Sequence, residues 1–527
     1  MLKVLLPIVI VPIILCTVIT FTTHRHERAE FTYVSGPEPE TLDPALLTGA
    51  LEGRIVAALF EGLTQYHPQD LSPTPGIASD WTVSEDGLTY TFHLRKSCWN
   101  NGEPLTAHDF VYSWKRALDP MTAADYAYQL YYIKNARAFN EGTLTDFSQV
   151  GVHALDDYTL EVQLERSTAF FLDLTSFPTL MPVNKKCVET YGDDWVRPEN
   201  LVSNGPFRLA EWRINDKVRM EKNHLYWDAQ HVKLQSIDAL SIESINTGFN
   251  VYETGGADYL FGLPLPLVEV LRERGDYHTN VYLATYFLRF NVSAPPFDDV
   301  RVRKALAMAI DREGIVNYVT KGGEVPATTL VPPGMPDYQP PEGLPFNPKM
   351  AQILLAEAGY PGGRGFPRTE FLFNTSEANK DIAEVIQQMW KKYLGIDVTL
   401  VNQEWKVFLS TVKNLDYQIA RGNWIGDYVD PNTFLDMFVT DGGNNRTGWS
   451  SHRYDQLVEA AAEERDRKKR MEIFREAERI LVEEGLPILP IYYHVSFNIY
   501  RPYVRGVYPN ILNMHPWKYI WIDKEAS

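Results

Sequence analysis

The stretch from Arg368 to Asn402 carries the reading that decides the fold. It opens RTEFLFN (368–374), continues through apolar residues at helical spacing, Ile382, Ile386 and Met389, up to Gly395, and closes IDVTLVN (396–402). Strand, helix and strand at this spacing predict a βαβ unit with parallel strands. The second half of the chain therefore holds an α/β domain.

Working outward, the same two periods recur. Leu88, Tyr90, Phe92 and Leu94 alternate with polar residues, as do Tyr158, Leu160, Val162 and Leu164, which predicts two half-buried strands. Between them, Thr106 followed by Asp109 is a capping-box-like start for a helix that must stop before Pro120. Ile55, Leu59 and Leu63 fall on one helical face, a helix is expected from about 300 to 319, and a long charged helix over roughly 453–484 precedes the strand LPILPIYYHVSFNIY (486–500). Residues 200–300 read as strand-rich, with turns at Asn204-Gly205-Pro206 and Gly255-Gly256. The class is α/β, without an internal repeat.

Composition narrows what such a chain does. Its 527 residues allow about three or four domains. Hydrophobic residues at 45% and charged residues at 22% fit a globular chain, and the high aromatic share, 13%, offers rings to a core or a ligand. The net charge of −18 (50 basic against 68 acidic residues) makes nucleic acid a poor partner, because binding it requires clustered cations. Cys16, Cys98 and Cys187 are the three cysteines, so beyond the N-terminal run at most one bridge can form.

That run, VLLPIVIVPIILCTVITF (4–21), has 18 residues without a charge, with Lys3 before it and Arg25 and Arg28 after it. It reaches the lower range of a spanning helix, and no small-x-small cleavage site follows. An uncleaved membrane anchor is favoured over a removed signal. Leu15 before Cys16 argues against lipidation. Export to the extracytoplasmic side follows from either reading.

Enzymatic signatures are missing: there is no GxSxG, GxGxxG after a strand, P-loop or HExxH. The glycines 359, 362, 363 and 365 read as a helix-terminating loop. His224 and His231, seven apart, make a poor metal pair. No catalytic residue, cofactor or metal is expected.

Three groups of stretches are specific. They are ETLDPALLTG (40–49) leading into LFEGL (59–63); YTFHLRKSCWNNGEPLTAHDFVYSWKRALDP (90–120); and NVSAPPFDDVRVRKALAMAIDRE (291–313) with QEWKVFL (403–409) and NWIGDYVDPNTFL (423–435). In order and spacing, from about residue 31 to the C-terminus, they resemble the periplasmic oligopeptide-binding proteins, solute-binding protein family 5 of peptide ABC transporters. The resemblance implies a two-lobed periplasmic binding protein of type II, in its three-domain variety. Family topology assigns 30–60, 186–283 and 495–527 to a discontinuous first domain, 61–185 to a second and 284–494 to a third, with residues 1–29 as the anchor or signal segment. A hinge would let the lobes close over an extended peptide.

A receptor for many peptides must use what all share: a backbone, an α-ammonium and a carboxylate. Adding the peptide as a strand meets the backbone groups without selecting side chains, and buried charged ends need partners. The resemblance places Asp427 on the α-ammonium, with Ile425 and Gly426 in the same motif. It makes Trp424 and Trp405 aromatic walls, Tyr126 a ligand contact, and Thr48, Gly49 and Ala50 the strand that bonds the peptide main chain. Where Thr48 stands relatives commonly have Glu, and cysteines that some relatives carry at the positions of Ala284 and Ile425 are both absent. At the carboxylate end Arg421 remains, while Val412, Asn379 and Thr320 occupy other matching positions with Lys321 adjacent. Carboxylate capture is thus expected to rest mainly on Arg421.

The expected partners are oligopeptides, permease subunits with their ATPases, and the membrane through residues 4–21; a monomer is expected. Alternatives are a receptor for another solute (dipeptide, haem, a nickel chelate, an oligosaccharide) or an anchored sensor domain. Retention of the Asp427 motif favours a ligand with a free amine.

Overall fold

The computed structural model describes residues 28–47, 49–442 and 444–525. The apolar run 4–21, Cys16 and Thr48 lie outside the described residues, as does the side chain of Trp405. Among the described residues no helix is long and apolar enough to cross a membrane.

The βαβ unit forms as the pattern predicts. Thr369–Asn374 and Val398–Gln403 run parallel, in register from Thr369 opposite Val398 to Asn374 opposite Gln403. The helix Glu377–Leu394 crosses between them and ends at Gly395, whose φ of +72° suits glycine. Ile382, Ile386 and Trp390 point into the core, whereas Met389 is only partly buried.

This unit is one end of an 11-stranded sheet. At the other end Phe207–Arg213, Lys217–Lys222 and Ser236–Ser241 pair antiparallel in succession. Phe31–Gly36 then joins parallel to Ser236–Ser241 and to Tyr259–Phe261. Two long strands, Ile488–Tyr500 and Tyr277–Phe290, pair antiparallel in the middle and connect the ends. Ile419–Ile425 follows Tyr277–Phe290 and leads into the βαβ unit.

A separate four-stranded antiparallel sheet contains Thr89–Leu94 and Thr159–Gln163. Tyr90, Phe92 and Leu94 turn inward there while the alternate residues stay more exposed. Helix Ala107–Leu118 packs beside it, with the Asp109 carboxylate accepting from the Thr106 backbone N–H at 2.8 Å.

Three expected helices are shorter than their apolar periodicity. The 300–319 segment breaks into Val300–Met308, Arg312–Ile315 and a wider turn over Val316–Thr320. The 453–484 segment breaks into His452–Glu463, Arg467–Arg479 and a turn over Ile480–Gly485. Both breaks have one cause: an aspartate accepts a backbone N–H from the turn ahead, Asp311 from Gly314 at 2.9 Å and Asp466 from Lys469 at 3.1 Å, and so starts a new helix. The helix Ala50–Leu59 stops short of Leu63. Beyond it the backbone packs so closely that a Cβ on Gly62 would lie 2.2 Å from the Thr175 carbonyl. Cys98 and Cys187 are both free thiols, and the buried Cys187 donates to the Asn200 carbonyl at 3.1 Å.

Candidate functional site

The strand Ile419–Ile425 has one paired edge and one largely open one. Ala284 opposite Ile425 through Phe290 opposite Ile419 fill the first. On the second, Phe371 and Leu372 pair only with Ile419 and Ala420, so from Arg421 onward no strand covers it among the described residues. Free ladder groups on such an edge are a template for another strand. Alternation puts Arg421, Asn423 and Ile425 on one face and Ala420, Gly422 and Trp424 on the other.

Past Ile425 the chain turns at Gly426, whose N–H donates to the Leu283 carbonyl at 2.8 Å. A Cβ there would meet Leu283 Cγ at 2.8 Å and the Phe434 ring at 2.9 Å, so only glycine fits without a shift. Leu283 is free for this contact because Tyr277–Phe290 loses register with Ile488–Tyr500 between Val281 and Thr285. The loop beyond is pinned: the Asp427 N–H donates to Thr433 Oγ1 at 3.0 Å and Trp424 Nε1 to the Thr433 carbonyl at 2.7 Å. Asp430 receives both Arg470 guanidinium nitrogens, at 2.5 and 2.9 Å, in a fully buried pair.

This scaffold holds Asp427 over a cavity of about 330 Å³ lined also by Gly49, Ala50, Tyr126, Ile425 and Gly426. Six of the ten residues named from sequence thus converge on one space, contributed by distant parts of the chain. Gly49 caps the helix Ala50–Leu59, and a Cβ on it would lie 2.1 Å from Glu52 Oε2. Ile425 is 52% exposed and forms one wall.

Among the described residues no cation pairs with the Asp427 carboxyl. Burial pushes its pKa up to about 6, offset in part by a hydrogen bond from the Tyr128 hydroxyl. Burial and the Asp427 charge in turn raise both Tyr126 and Tyr128. Arg54 also lines the cavity, but its guanidinium lies over the Phe261 ring, 3.7 Å from the centroid, and burial lowers its pKa among Tyr33, Tyr259 and Tyr282. A half-buried carboxylate between aromatic walls, without a resident cation, suits an organic ammonium.

Arg421 lies farther along the strand, outside that cavity. Four residues of strand from Arg421 to Ile425 span about 13 Å at about 3.3 Å each. Its guanidinium is 5.2 Å from the Tyr286 ring centroid, and its Nε is buried without a hydrogen-bond partner. On the same face His494 Nε2 meets Asn423 Oδ1 at 2.7 Å, and burial together with Arg421 holds this imidazole at a pKa of about 4. The other matching positions are occupied otherwise: Val412 is core, Asn379 donates to Asn374, and Thr320 donates to Glu324 at 2.7 Å. Lys321 lines a separate open groove.

Trp424 packs against a hydrophobic cluster with its indole N–H satisfied, on the face away from Arg421. Trp405 starts the helix Trp405–Lys413. His231 bonds Asp228 rather than facing His224. Sequence reasoning missed Tyr128, Tyr282, Phe177 and Met514; of these only Tyr128 carried a signal, the tyrosine-rich run 126–132.

Comparisons with known proteins find relatives that cover most of the chain. The family model for the middle of bacterial extracellular solute-binding proteins, family 5, matches residues 72–446. The oligopeptide-binding protein OppA of Bacillus subtilis is 38% identical over 492 residues, 89% of this chain and 88% of the relative. The unliganded open form of the periplasmic murein tripeptide-binding protein MppA superposes with a TM-score of 0.86 at 34% identity, covering 94% of this chain and 98% of that one. OppA of Haemophilus influenzae in complex with RPPGFSPFR gives 0.73 at 33% identity, covering 94% and 99%.

Proposed function

The chain belongs to the bacterial extracellular solute-binding proteins of family 5, and from that premise we propose that it captures extended oligopeptides between two lobes and delivers them to the permease and ATPase subunits of a peptide ABC transporter. It is a solute-binding protein, not an enzyme. One observation carries the peptide reading: the open edge of Ile419–Ile425 leads directly to a half-buried carboxylate that has no cation.

A peptide added to that edge meets backbone ladder groups that no protein strand uses. Its α-ammonium would lie on Asp427, relieving the burial that raises this carboxyl. Its carboxylate would lie toward Arg421, whose Nε lacks a partner. Thr48, Gly49 and Ala50 would bond the other side of the main chain, with Tyr126 as a wall and Trp424 and Trp405 beside side-chain pockets.

Residues 30–60, 186–283 and 495–527 would form the first domain, 61–185 the second and 284–494 the third. The hinge would lie in the two long central strands, where the irregular register between Val281 and Thr285 offers a bend. The TM-score of 0.86 with an open form, against 0.73 with a peptide complex, supports an open arrangement in which the second and third segments still meet at Phe170 and Tyr428. Residues 4–21 would tether a monomeric receptor to the outer face of the cytoplasmic membrane.

The test is native purification followed by mass spectrometry of what co-purifies. Intact short peptides with free N-termini are expected. Another solute class recovered in their place, or no binding of a peptide mixture, would overturn the reading.

A further inference from the structure

Among the described residues, three of the four buried arginines donate hydrogen bonds to carbonyls or a carboxylate. Arg303 donates to the Phe297, Asp298, Gly485 and Leu486 carbonyls, Arg312 to those of Pro490 and Leu344, and Arg470 to Asp430 and the Ala461 carbonyl. Arg289 and Arg446 differ. Arg289 is only 8% exposed. The Nε atoms of both are buried without a hydrogen-bond partner.

The two share one neighbour, Tyr417. Its hydroxyl donates to the Arg446 carbonyl, and both guanidiniums lie close enough to lower its otherwise raised pKa. The charged or titratable groups that act on Arg289 are Tyr417, Arg446 and Arg421; no carboxylate is among them. Arg289 sits opposite Ala420, with its guanidinium 5.2 Å from the Phe287 ring centroid, whereas Arg421 sits opposite Leu288 on the other face. Arg446 is half-buried, which leaves a way in from solvent.

A buried guanidinium that lacks both carbonyl and carboxylate is costly unless an anion reaches it. Arg289, buried, and Arg446, half-buried, beside one phenol present planar forks suited to a group with paired oxygens. We propose that Arg289 and Arg446 form an oxyanion-binding site, separate from the peptide carboxylate end at Arg421, that takes a carboxylate or a tetrahedral oxyanion. The oxygens come from a free inorganic ion or, if the peptide reading holds, from an acidic side chain of the cargo.

The experiment titrates sulfate into the full-length, peptide-free protein at constant ionic strength and follows the melting temperature. Wild type and Arg421→Ala should both show a saturable rise, with half-saturation moved up about tenfold or more in Arg446→Gln, since hydrogen bonds to charged groups are strong. Circular dichroism of Arg446→Gln, a change at a half-exposed side chain, checks that the fold is kept. In a second arm a Glu-containing tripeptide is compared with its Gln counterpart. A Glu preference that disappears in Arg446→Gln assigns the site to cargo; sulfate saturation without such a preference assigns it to a free ion. Sulfate and Glu responses unchanged in Arg446→Gln, or a sulfate response abolished by Arg421→Ala, would overturn the proposal.

Discussion

Phe170 and Tyr428 stack face to face, ring centroids 4.4 Å apart and planes 10° from parallel. Tyr428 directly follows Asp427, while Phe170 belongs to the part of the chain around the four-stranded sheet and also meets Tyr132 edge-on at 5.1 Å. The stack therefore ties the loop that carries the acid to a distant segment, and Asn432 Nδ2 donates to the Tyr428 hydroxyl at 3.0 Å. Tyr428→Leu should destabilise the protein by about 1–3 kcal/mol, combining lost aromatic pairing with the lost hydrogen bond from Asn432, which keeps only its longer bond to Asp436. Urea denaturation measures it, and a midpoint equal to wild type would show that the stack holds nothing.

Asp427→Asn should weaken peptide binding by about 2–5 kcal/mol, the usual cost of truncating one partner of a buried charge pair. N-acetylation of the peptide should cost wild type a similar amount and cost the variant little more, because both changes remove the same interaction. Calorimetric titration of the four combinations reads this directly, and additive losses would separate Asp427 from the ammonium.

The raised carboxyls set a pH dependence with a definite sign. Asp427 is pushed up from 3.8 to about 6, and Asp173 and Asp436 to about 7, in each case first by burial. A folded-state pKa above the unfolded one gives stability that is full below about pH 4 and is lost as pH rises through about 6 to 7. The peptide-free protein should therefore melt lower at pH 8 than at pH 5. Asp427→Asn should match wild type near pH 4 and exceed it at pH 8; coincident curves would contradict the assigned burial.

Peptide affinity runs the other way. An ammonium on Asp427 favours the ionised carboxyl, so affinity should fall as pH drops below about 6, by up to about tenfold per pH unit. A flat profile between pH 7 and pH 5 would mean that Asp427 does not titrate with binding.

Arg421→Ala should change the ranking of di- to hexapeptides as well as the overall affinity, because Thr320, Asn379 and Val412 supply no cation at the other matching positions. A uniform loss that preserves the length profile would count against carboxylate capture at Arg421.

Arg470→Met leaves Asp430 buried without its cation, which should cost about 3–5 kcal/mol, whereas replacing both partners by apolar residues should cost much less. Denaturation of the single and double variants distinguishes the two, and equal losses would point to packing rather than charge.

Local chemistry was legible where neighbours in sequence settle it. The alternation of Tyr90, Phe92 and Leu94, the βαβ spacing around Ile382 and Ile386, and the Thr106–Asp109 cap all appear as read, because a strand or a helix start depends on residues within a turn of one another. The 300–319 and 453–484 helices were read too long, because apolar periodicity continues through Asp311 and Asp466 while their side chains restart the helix. In the site, the motif residues Ile425, Gly426 and Asp427 were nameable together; Tyr128, Tyr282 and Met514 arrive from elsewhere, and no spacing predicts that they meet.

The order of residues alone determined the α/β class and the charge balance that disfavours nucleic acid, while the family resemblance pointed to Asp427. Tertiary structure decided that this acid is half-buried without a cation, that the strand before it keeps an open edge, and that the Nε atoms of Arg289 and Arg446 lie buried without a hydrogen-bond partner. The division has a physical reason. Backbone conformation answers to near neighbours, whereas burial, edge exposure and the electrostatic field at a carboxyl are sums over groups that only folding brings within reach.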